Sequence, residues 1–599
     1  MILKKILFFL IVTMLFPFSN KGQTMSTSLD SEVRNITNLN IGFNRRSDNG
    51  TWYTDNSFIN LVSEMNPDVV RYPGGTQANY WDWRTGQFLE NTDKNWGNKE
   101  VVTIPTFLNA LPTRTKIIYV VNMARPTPTT SVSVNASEQV LKSNATLNLK
   151  IADMIDAIDS FVAQGKEPYA VELGNEFYFG NIESGIYQIV EENGIFYSGW
   201  NPNTNAPYQS TNKKDATNIN ALFYLRHCKE IVSQIKTVYP NIKFAITTTK
   251  IGNGNSTRER WNNTIFNNLQ KNSEFATLAQ DIEAVTQHHY LNDNYGVQTV
   301  INSNTSAKVA IAEGIQYPID KQADYNLVPN NFNVWYTEFG EVKGIADGTW
   351  ADAVRYIALN YSWLNRGDRV TQLDFHYISD NTVIKVQNPM LLAPVGIASK
   401  LLMQASAEMT EMQKINFTNN PISVNNIKSL YGLKFKSDEK ETLLIFNTSN
   451  TTFSSLDVNN LFSFTGDRNI TQYYSDKPYV SGVSEGSNNI KTLNNSTIGI
   501  VNIKEFSISV IEVVTPGLSV NNQLNETVSI YPNPVGNKIF IQSKNDIESV
   551  SIYSITGALV YQTNQLTENT IELITLKSGV YLVKIKSNKG IHFKKIIKK

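Results

Sequence analysis

Between about residue 38 and residue 405, eight short apolar runs recur, each followed by enough chain to hold a helix. This alternation constrains the fold most, because a strand buried on both faces needs helices to cover it. The runs are Leu39–Asn44, Val69–Gly75, Lys116–Met123, Ala170–Glu176, Lys243–Thr249, Ile282–Tyr290, Asn333–Gly340 and Gln372–Ser379. They are near-continuously β-branched or aromatic, as buried parallel strands are. Between them, Leu147–Ala163 and Ala221–Val238 carry apolar residues at three-and-four spacing, which predicts helices. Eight strand–helix units predict an α/β chain folded as a (β/α)8 TIM barrel over residues 24–405. An open doubly wound sheet is the competing arrangement, and the lack of a glycine-rich phosphate loop after the first run weighs against it.

After residue 405 the pattern changes. Short alternating strands such as Lys428–Phe435 and Thr442–Phe446, separated by Asn, Ser, Thr and Gly, predict an all-β sandwich over 406–515. Residues 516–527 read as a polar linker, and 528–599 as a small all-β domain with a basic end, Lys594–Lys599. At the other terminus, Lys4 and Lys5 precede the apolar run Ile6–Phe18, and a polar exit follows. That is the build of a secretory signal peptide, placed at residues 1–23; the run is shorter than the ~20 residues that span a bilayer. An uncleaved anchor is the alternative. No cysteine follows the run, which excludes a bacterial lipoprotein, and no later segment reads as a membrane span.

Composition narrows the function. With 53 basic and 53 acidic residues, the chain lacks the basic excess that binding nucleic acid or an anionic membrane requires. A single cysteine, Cys228, permits no internal disulfide and no thiolate cluster, and five histidines make zinc chemistry a poor fit.

Reactive groups of such a barrel sit at the C-terminal ends of its strands. There the fourth run ends in Leu173-Gly174-Asn175-Glu176, the sixth in Gln287-His288-His289-Tyr290, and the seventh holds Trp335-Tyr336-Thr337-Glu338. Two carboxylates facing each other across the mouth at ~5–5.5 Å can cleave a glycosidic bond with retention. One protonates the leaving oxygen and the other attacks the anomeric carbon. No metal or organic cofactor is implied. Glu172 shares the parity of Glu176 and reads as a buried partner for Arg71. Glu341 is the runner-up nucleophile. Tyr290 is placed to hydrogen-bond Glu338, or else is part of the barrel wall. Asn175 is a candidate for the sugar 2-hydroxyl, and Asn122 and His376 are weaker lining candidates. Trp81 and Trp83, in the loop after the second run, read either as sugar-stacking faces or as a loop-anchoring cluster; Trp261 and Trp350 are further platforms.

Two resemblances sharpen this. The fourth-run Asn-Glu and seventh-run Glu resemble the paired glutamates of clan A retaining glycoside hydrolases, which implies Glu176 as acid/base and Glu338 as nucleophile. Val171-Glu172-Leu173-Gly174-Asn175-Glu176, Val285-Thr286-Gln287-His288-His289-Tyr290 and Arg71-Tyr72-Pro73-Gly74-Gly75-Thr76 are most similar to glycoside hydrolase family 79, the heparanase and β-glucuronidase family. That family commonly has Pro after the acid/base, where this chain has Phe177. The likeness implies Arg71, His289 and Tyr290 on the substrate side, and a sandwich built partly from residues before the barrel; Ser26–Arg34 is therefore expected to join it. His288 and His289 point to opposite faces in a regular strand, so only one of them faces the mouth.

The last segment, with Tyr531-Pro532-Asn533-Pro534, Gly557, Val560, Gly579-Val580-Tyr581-Leu582-Val583-Lys584 and Lys598-Lys599, resembles the C-terminal sorting domain of the bacterial type IX secretion system. It implies a Bacteroidota protein exported through the outer membrane, surface-held or released, with the secretion machinery as a partner. A small Ig-like accessory module is the plainer reading. Two functions follow as expectations. One is a secreted retaining glycoside hydrolase acting on a polysaccharide or oligosaccharide, with an arabinofuranosidase, xylosidase or agarase-type activity as the variant. The other is a secreted carbohydrate-binding or adhesive protein whose barrel is inactive.

Overall fold

The computed structural model describes residues 25–514 and 529–599, except 45–50, 80, 87–101, 124–143, 181–186, 188, 202, 205, 251–255, 292–300, 341–347, 377, 379–381, 544–545, 555–557, 565–568 and 588–589. The expected signal peptide (1–23), the linker (516–527) and Glu341 lie outside the described residues.

All eight apolar runs become parallel strands of one closed barrel. They are β1 (Asn40–Asn44), β2 (Val69–Tyr72), β3 (Lys116–Val120), β4 (Ala170–Leu173), β5 (Lys243–Thr247), β6 (Ile282–Tyr290), β7 (Asn333–Gly340) and β8 (Val370–His376). The ring closes where β8 pairs with β1, Gln372 opposite Asn40 and Phe375 opposite Phe43. Period-2 alternation sorts the side chains. Val69, Ile118, Ala170, Ala245, Ala284 and Trp335 fill the barrel interior as a small apolar cluster. Their strand neighbours, such as Val70, Ile117, Val171, Ile246, Val285 and Val334, join the main core outside it. Two residues further along, the inward positions are polar and buried at Arg71, Glu172, Thr247, Thr286 and Thr337, and apolar at Val120. The apolar layer is thus a floor under a polar mouth.

Helices α1 (Asn144–Ala163), α2 (Lys213–Val238), α3 (Ser256–Lys271), α4 (Trp350–Leu364) and α5 (Pro394–Ser406) are among those covering the barrel. Helix α2 begins earlier than its apolar spacing predicts. Asn212 caps it, its side chain accepting from the Lys214 N–H at 2.9 Å, and this cap lets a polar first turn form. Before α2 the chain makes a three-stranded antiparallel sheet, Val190–Glu192, Ile195–Asn201 and Ala206–Ser210, that no apolar run announced.

The sandwich is built on a sheet ordered Thr27–Leu29, Glu411–Phe417, Leu430–Lys436, Lys440–Asn447, Ile508–Val514, Arg468–Tyr474 and Lys491–Thr497. The segment before the barrel supplies Thr27–Leu29 and Arg34–Asn35, both paired antiparallel with Glu411–Phe417. Along Lys440–Asn447, Leu443 and Ile445 face a smaller core completed by the ribbon of Phe453–Asp457 and Ile500–Ile503. Leu444 and Phe446 face the main core instead. There the Tyr361 ring of α4 meets Phe446 at 5.5 Å and Tyr431 at 5.2 Å. The Trp350 indole donates to the Phe506 carbonyl at 2.5 Å. Arg34 donates to the carbonyls of Leu364 and Val370, tying the N-terminal segment to the barrel. The sandwich and barrel therefore share one hydrophobic core.

The chain divides into two compact units, Met1–Thr515 and Pro516–Lys599. The second has its own core of Val535, Ile539, Ile541, Val550, Ile552, Ile571, Leu573, Val583, Ile585 and Ile596. A three-stranded sheet and a four-stranded sheet enclose it. No helix among the described residues is long and apolar enough to cross a membrane.

Phe446 is fully buried in the shared core. Phe446→Ala is expected to cost ~3–5 kcal/mol, the usual range for emptying such a site. Chemical denaturation of the wild type and variant measures it; a change below 1 kcal/mol would mean that the sheet and α4 do not depend on each other.

Candidate active site

The site starts from Arg71, at the inward position of β2 above the apolar floor, with no exposed side-chain surface. All five of its N–H donors are taken. Nε and Nη2 donate to the two oxygens of Glu172, at 2.5 and 2.9 Å. Nη1 donates to Asn44 Oδ1 at 3.0 Å and to Glu338 Oε1 at 2.7 Å. The remaining Nη2 hydrogen goes to Asn175 Oδ1 at 2.9 Å. Burial works against the charge of this guanidinium, and Glu172 and Glu338 more than offset that. The sequence expectation that Arg71 binds substrate is corrected here: with its donors saturated, it positions four other side chains instead.

Glu338 reaches the mouth through an irregularity in β7. His288 pairs with Glu338 while Thr286 pairs with Trp335, so β7 carries one extra residue over that span. The same excess recurs against β8, where Tyr336 pairs with Leu373 and Phe339 with Phe375. This bulge lets Thr337 and Glu338 both serve the interior, which strict alternation forbids. Glu338 Oε2 accepts from the Tyr290 hydroxyl and lies 3.6 Å from both His288 Nδ1 and His376 Nδ1. Burial pushes the Glu338 carboxyl up, but the charges of His288 and Arg71 and the Tyr290 hydrogen bond outweigh it and hold it at about 2. The group is therefore ionised at neutral pH.

Glu176 gets there by a turn rather than by the strand. After β4, Gly174 has φ +83° and Glu176 itself φ +55°. The glycine is required, because a Cβ at position 174 would lie 2.0 Å from the Phe177 ring. A positive φ at a glutamate is strain of the kind that collects at functional sites. Glu176 Oε1 accepts from the Tyr178 hydroxyl at 3.0 Å and from His288 Nδ1 at 2.9 Å. Its side chain is 17% exposed against 4% for Glu338, so it is the more accessible of the two. One oxygen of Glu176, one of Glu338 and one nitrogen of His288 lie within 4.8 Å of one another.

His288 bridges the two carboxyls. Burial disfavours its charged form, and Glu338 and Glu176 overcome this and raise its pKa. Its Nε2 lies 3.2 Å from Thr337 Oγ1, whose hydroxyl reaches Glu172 Oε1 at 3.4 Å.

Further expectations are corrected. His289 does not face the mouth. Alternation along β6 from the interior residue Ala284 turns Thr286, His288 and Tyr290 inward and His289 outward. There it packs against Tyr336 at 5.3 Å and Trp363 at 5.0 Å, and burial pushes its pKa well down. Trp81 offers no stacking face: it is 2% exposed and sits edge-on to Tyr72 at 5.3 Å. Asn122 donates its amide to the Trp81 carbonyl at 3.0 Å, so it holds that loop. Trp83 is covered by the Arg84 guanidinium, 4.4 Å from its ring, and Trp261 and Trp350 are fully packed. Tyr290 and His376 do line the site, as does Asn175, whose buried Nδ2 has no hydrogen-bond partner among the described residues. Asn44, Tyr178 and Thr337 were not anticipated. Asn44 stands at the C-terminal end of β1, the position that marks a site residue in a barrel, and holds His376 Nδ1 at 2.8 Å. Tyr178 lies in an irregular turn, where spacing carries no orientation.

Comparison with known proteins bears on the C-terminal segment and on the fold. Residues 529–599 match the family model of the secretion system C-terminal sorting domain, so this segment marks the chain for type IX secretion. No curated protein matches the chain in sequence. Among solved structures, the α-L-arabinofuranosidase from Thermotoga maritima aligns with TM-score 0.52 and 15% identity, over 82% of this chain and 100% of that one. The GH51 arabinofuranosidase from Xanthomonas axonopodis pv. citri aligns with TM-score 0.55 and 10% identity, over 82% and 99%. A 4-O-α-L-rhamnosyl-β-D-glucuronidase from Fusarium oxysporum aligns with TM-score 0.50 and 11% identity, over 82% and 100%. At such identities the likeness is one of fold. It covers barrel and sandwich alike.

Arg71→Ala would leave Glu172 and Glu338 buried without their cation. Losing one partner of a buried ion pair costs about 3–5 kcal/mol, so the variant's thermal midpoint should fall steeply; a midpoint within two degrees of the wild type would refute the central role of Arg71. A second prediction concerns acid. A carboxyl held at about 2 stays ionised well below its ordinary value of 4.5, and its contribution to stability is lost only as pH falls from 4.5 toward 2. If Glu338 must be ionised for turnover, the acid limb of kcat/KM should have its midpoint below pH ~4; a midpoint above 5 would contradict the assignment.

Proposed function

We propose that the protein is a secreted glycoside hydrolase that retains anomeric configuration through two glutamates. The supporting observation is the pair itself: oxygens of Glu176 and Glu338 lie within 4.8 Å, one carboxyl sealed and ionised, the other partly open. Retaining enzymes hold their carboxyls at about 5–5.5 Å, whereas inverting ones leave roughly 6.5–9.5 Å for a water. Glu338 attacks the anomeric carbon and forms a glycosyl–enzyme ester. Tyr290, His376 and Arg71 keep its oxygens aimed. Glu176 gives its proton to the departing glycosidic oxygen, then takes one from the water that hydrolyses the ester. Proton delivery of this kind is worth about 10²–10⁴ in rate. Asn175, its oxygen fixed by Arg71 and its Nδ2 unpartnered, is the donor for the sugar 2-hydroxyl.

The motif likeness to family 79 makes β-glucuronides the first substrates to try. The fold likeness to arabinofuranosidases makes α-L-arabinofuranosides the second. The substrate is a polysaccharide or oligosaccharide outside the cell, in keeping with the sorting domain. The reading of an inactive, glycan-binding barrel is less well supported, because a packing role asks for neither the strained turn at Glu176 nor the bulge at Glu338.

A panel of aryl glycosides and polysaccharides tests the proposal, with Glu176→Ala and Glu338→Ala run beside the wild type. Each substitution should lower kcat/KM by at least 10²-fold, and the first-formed sugar, followed by NMR, should keep the anomeric configuration of the substrate. Inversion, or activity surviving both substitutions, would reject it.

A further inference from the structure

Outside the barrel, α2 and α3 enclose a polar groove of about 670 Å³. Pockets that hold small ligands run from about 300 to 1,000 Å³. One wall is a stripe on α2, Lys214, Asn218 and Leu222, at successive i,i+4 positions. The other comes from Arg260, Asn263 and Asn267 on α3. Among the described residues, no carboxylate lines the groove. Neither Lys214 nor Arg260 has an ion-pair partner among the described residues. Asn218 gives its oxygen to the Thr264 hydroxyl at 3.1 Å, which leaves its NH2 group for a ligand. Two cations, several carboxamides and one aliphatic wall suit a ligand that is anionic, rich in hydroxyls and apolar along its C–H faces.

The position of the groove matters as much as its chemistry. Lys214 is the second residue of α2 and Arg260 the fifth of α3, near the helix ends that adjoin the barrel mouth. From the first turn of α3, Arg258 sets its guanidinium 4.6 Å from the Phe179 ring, in the turn that carries Glu176. The start of α3, which also carries Arg260, therefore contacts the turn after Glu176, and the groove's carboxamides lie further along the helix.

We propose that this groove is an auxiliary binding site for an anionic polysaccharide strand, one bearing carboxylate or sulfate groups, and that it steadies polymer near the active site. The inference builds on the glycosidase reading. A nucleic acid is the poorer fit, because among the described residues the groove has no aromatic ring for a base and only two cations for phosphates.

The test is retardation of the full chain in native gels containing polygalacturonate, dextran sulfate or neutral dextran, in the Glu338→Ala background so that polymer is not degraded. At least one polyanion, and not dextran, should retard the protein. Adding Lys214→Ala and Arg260→Ala should weaken that binding at least tenfold, and which polyanion binds distinguishes carboxylate from sulfate. The charge-preserving pair Lys214→Arg and Arg260→Lys should restore most of it. With Glu338 intact, the alanine pair should hydrolyse a small aryl glycoside at the wild-type rate. No retardation by either polyanion, retardation unchanged in the alanine pair, equal binding of a short DNA duplex, or a parallel loss of small-substrate hydrolysis would each overturn the proposal. Binding is read without turnover, so failure here leaves the glycosidase reading standing, and an inactive barrel leaves the groove standing.

Discussion

One buried guanidinium organises the candidate site at the mouth of this barrel. Arg71 is sealed inside a barrel, and a charge there is tolerable only when every donor is met. Meeting them brings together β1 through Asn44, β4 through Glu172, the following turn through Asn175 and β7 through Glu338. Glu172 neutralises the cation from below the mouth. That leaves Glu338 to be held by it and still present a second oxygen, which Tyr290 orients. His288 then links the carboxyls across the mouth. The site is thus a hydrogen-bonded network whose members fix one another's geometry, the form in which buried polar groups rigidify a core rather than weaken it.

The two glutamates have different environments because they arrive by different backbone devices. Glu338 sits on a strand, between His288 and Arg71, at 4% exposure. Glu176 sits beyond a strand end, on a left-handed turn that Gly174 makes possible, at 17% exposure. Burial and neighbours thus differ between two chemically identical side chains. Phe177 packs under this turn against Tyr187 at 4.4 Å. It fills the space that makes glycine obligatory at 174.

The sandwich extends the same logic to the back of the barrel. Its sheet is apolar on both faces along Lys440–Asn447, one face for its own ribbon and one for α4 and α5. A sheet of that composition cannot stand free in water. The strands contributed from before the barrel close the chain around it, so the first unit has its N-terminal segment and its last strands in one sheet.

The eight strands, the all-β pattern that follows them and the sorting-domain motifs were legible in the chain. Each depends on local period or on short motifs, and strands buried on both faces read as short apolar runs rich in β-branched and aromatic residues. What the sequence left undecided was orientation. His288 and His289 are chemically identical neighbours, and only the parity set by Ala284 in the barrel interior turns the first inward and the second out. Trp81 had the composition of a sugar platform, but Tyr72 gave it a place in the core. Glu338 would face away from its own site under plain alternation, and the bulge in β7 appears only when the neighbouring strands fix their register. Spacing along a chain determines which residues share a face of one element; which face meets the site is decided by packing between elements distant in sequence, and that is a property of the tertiary structure alone.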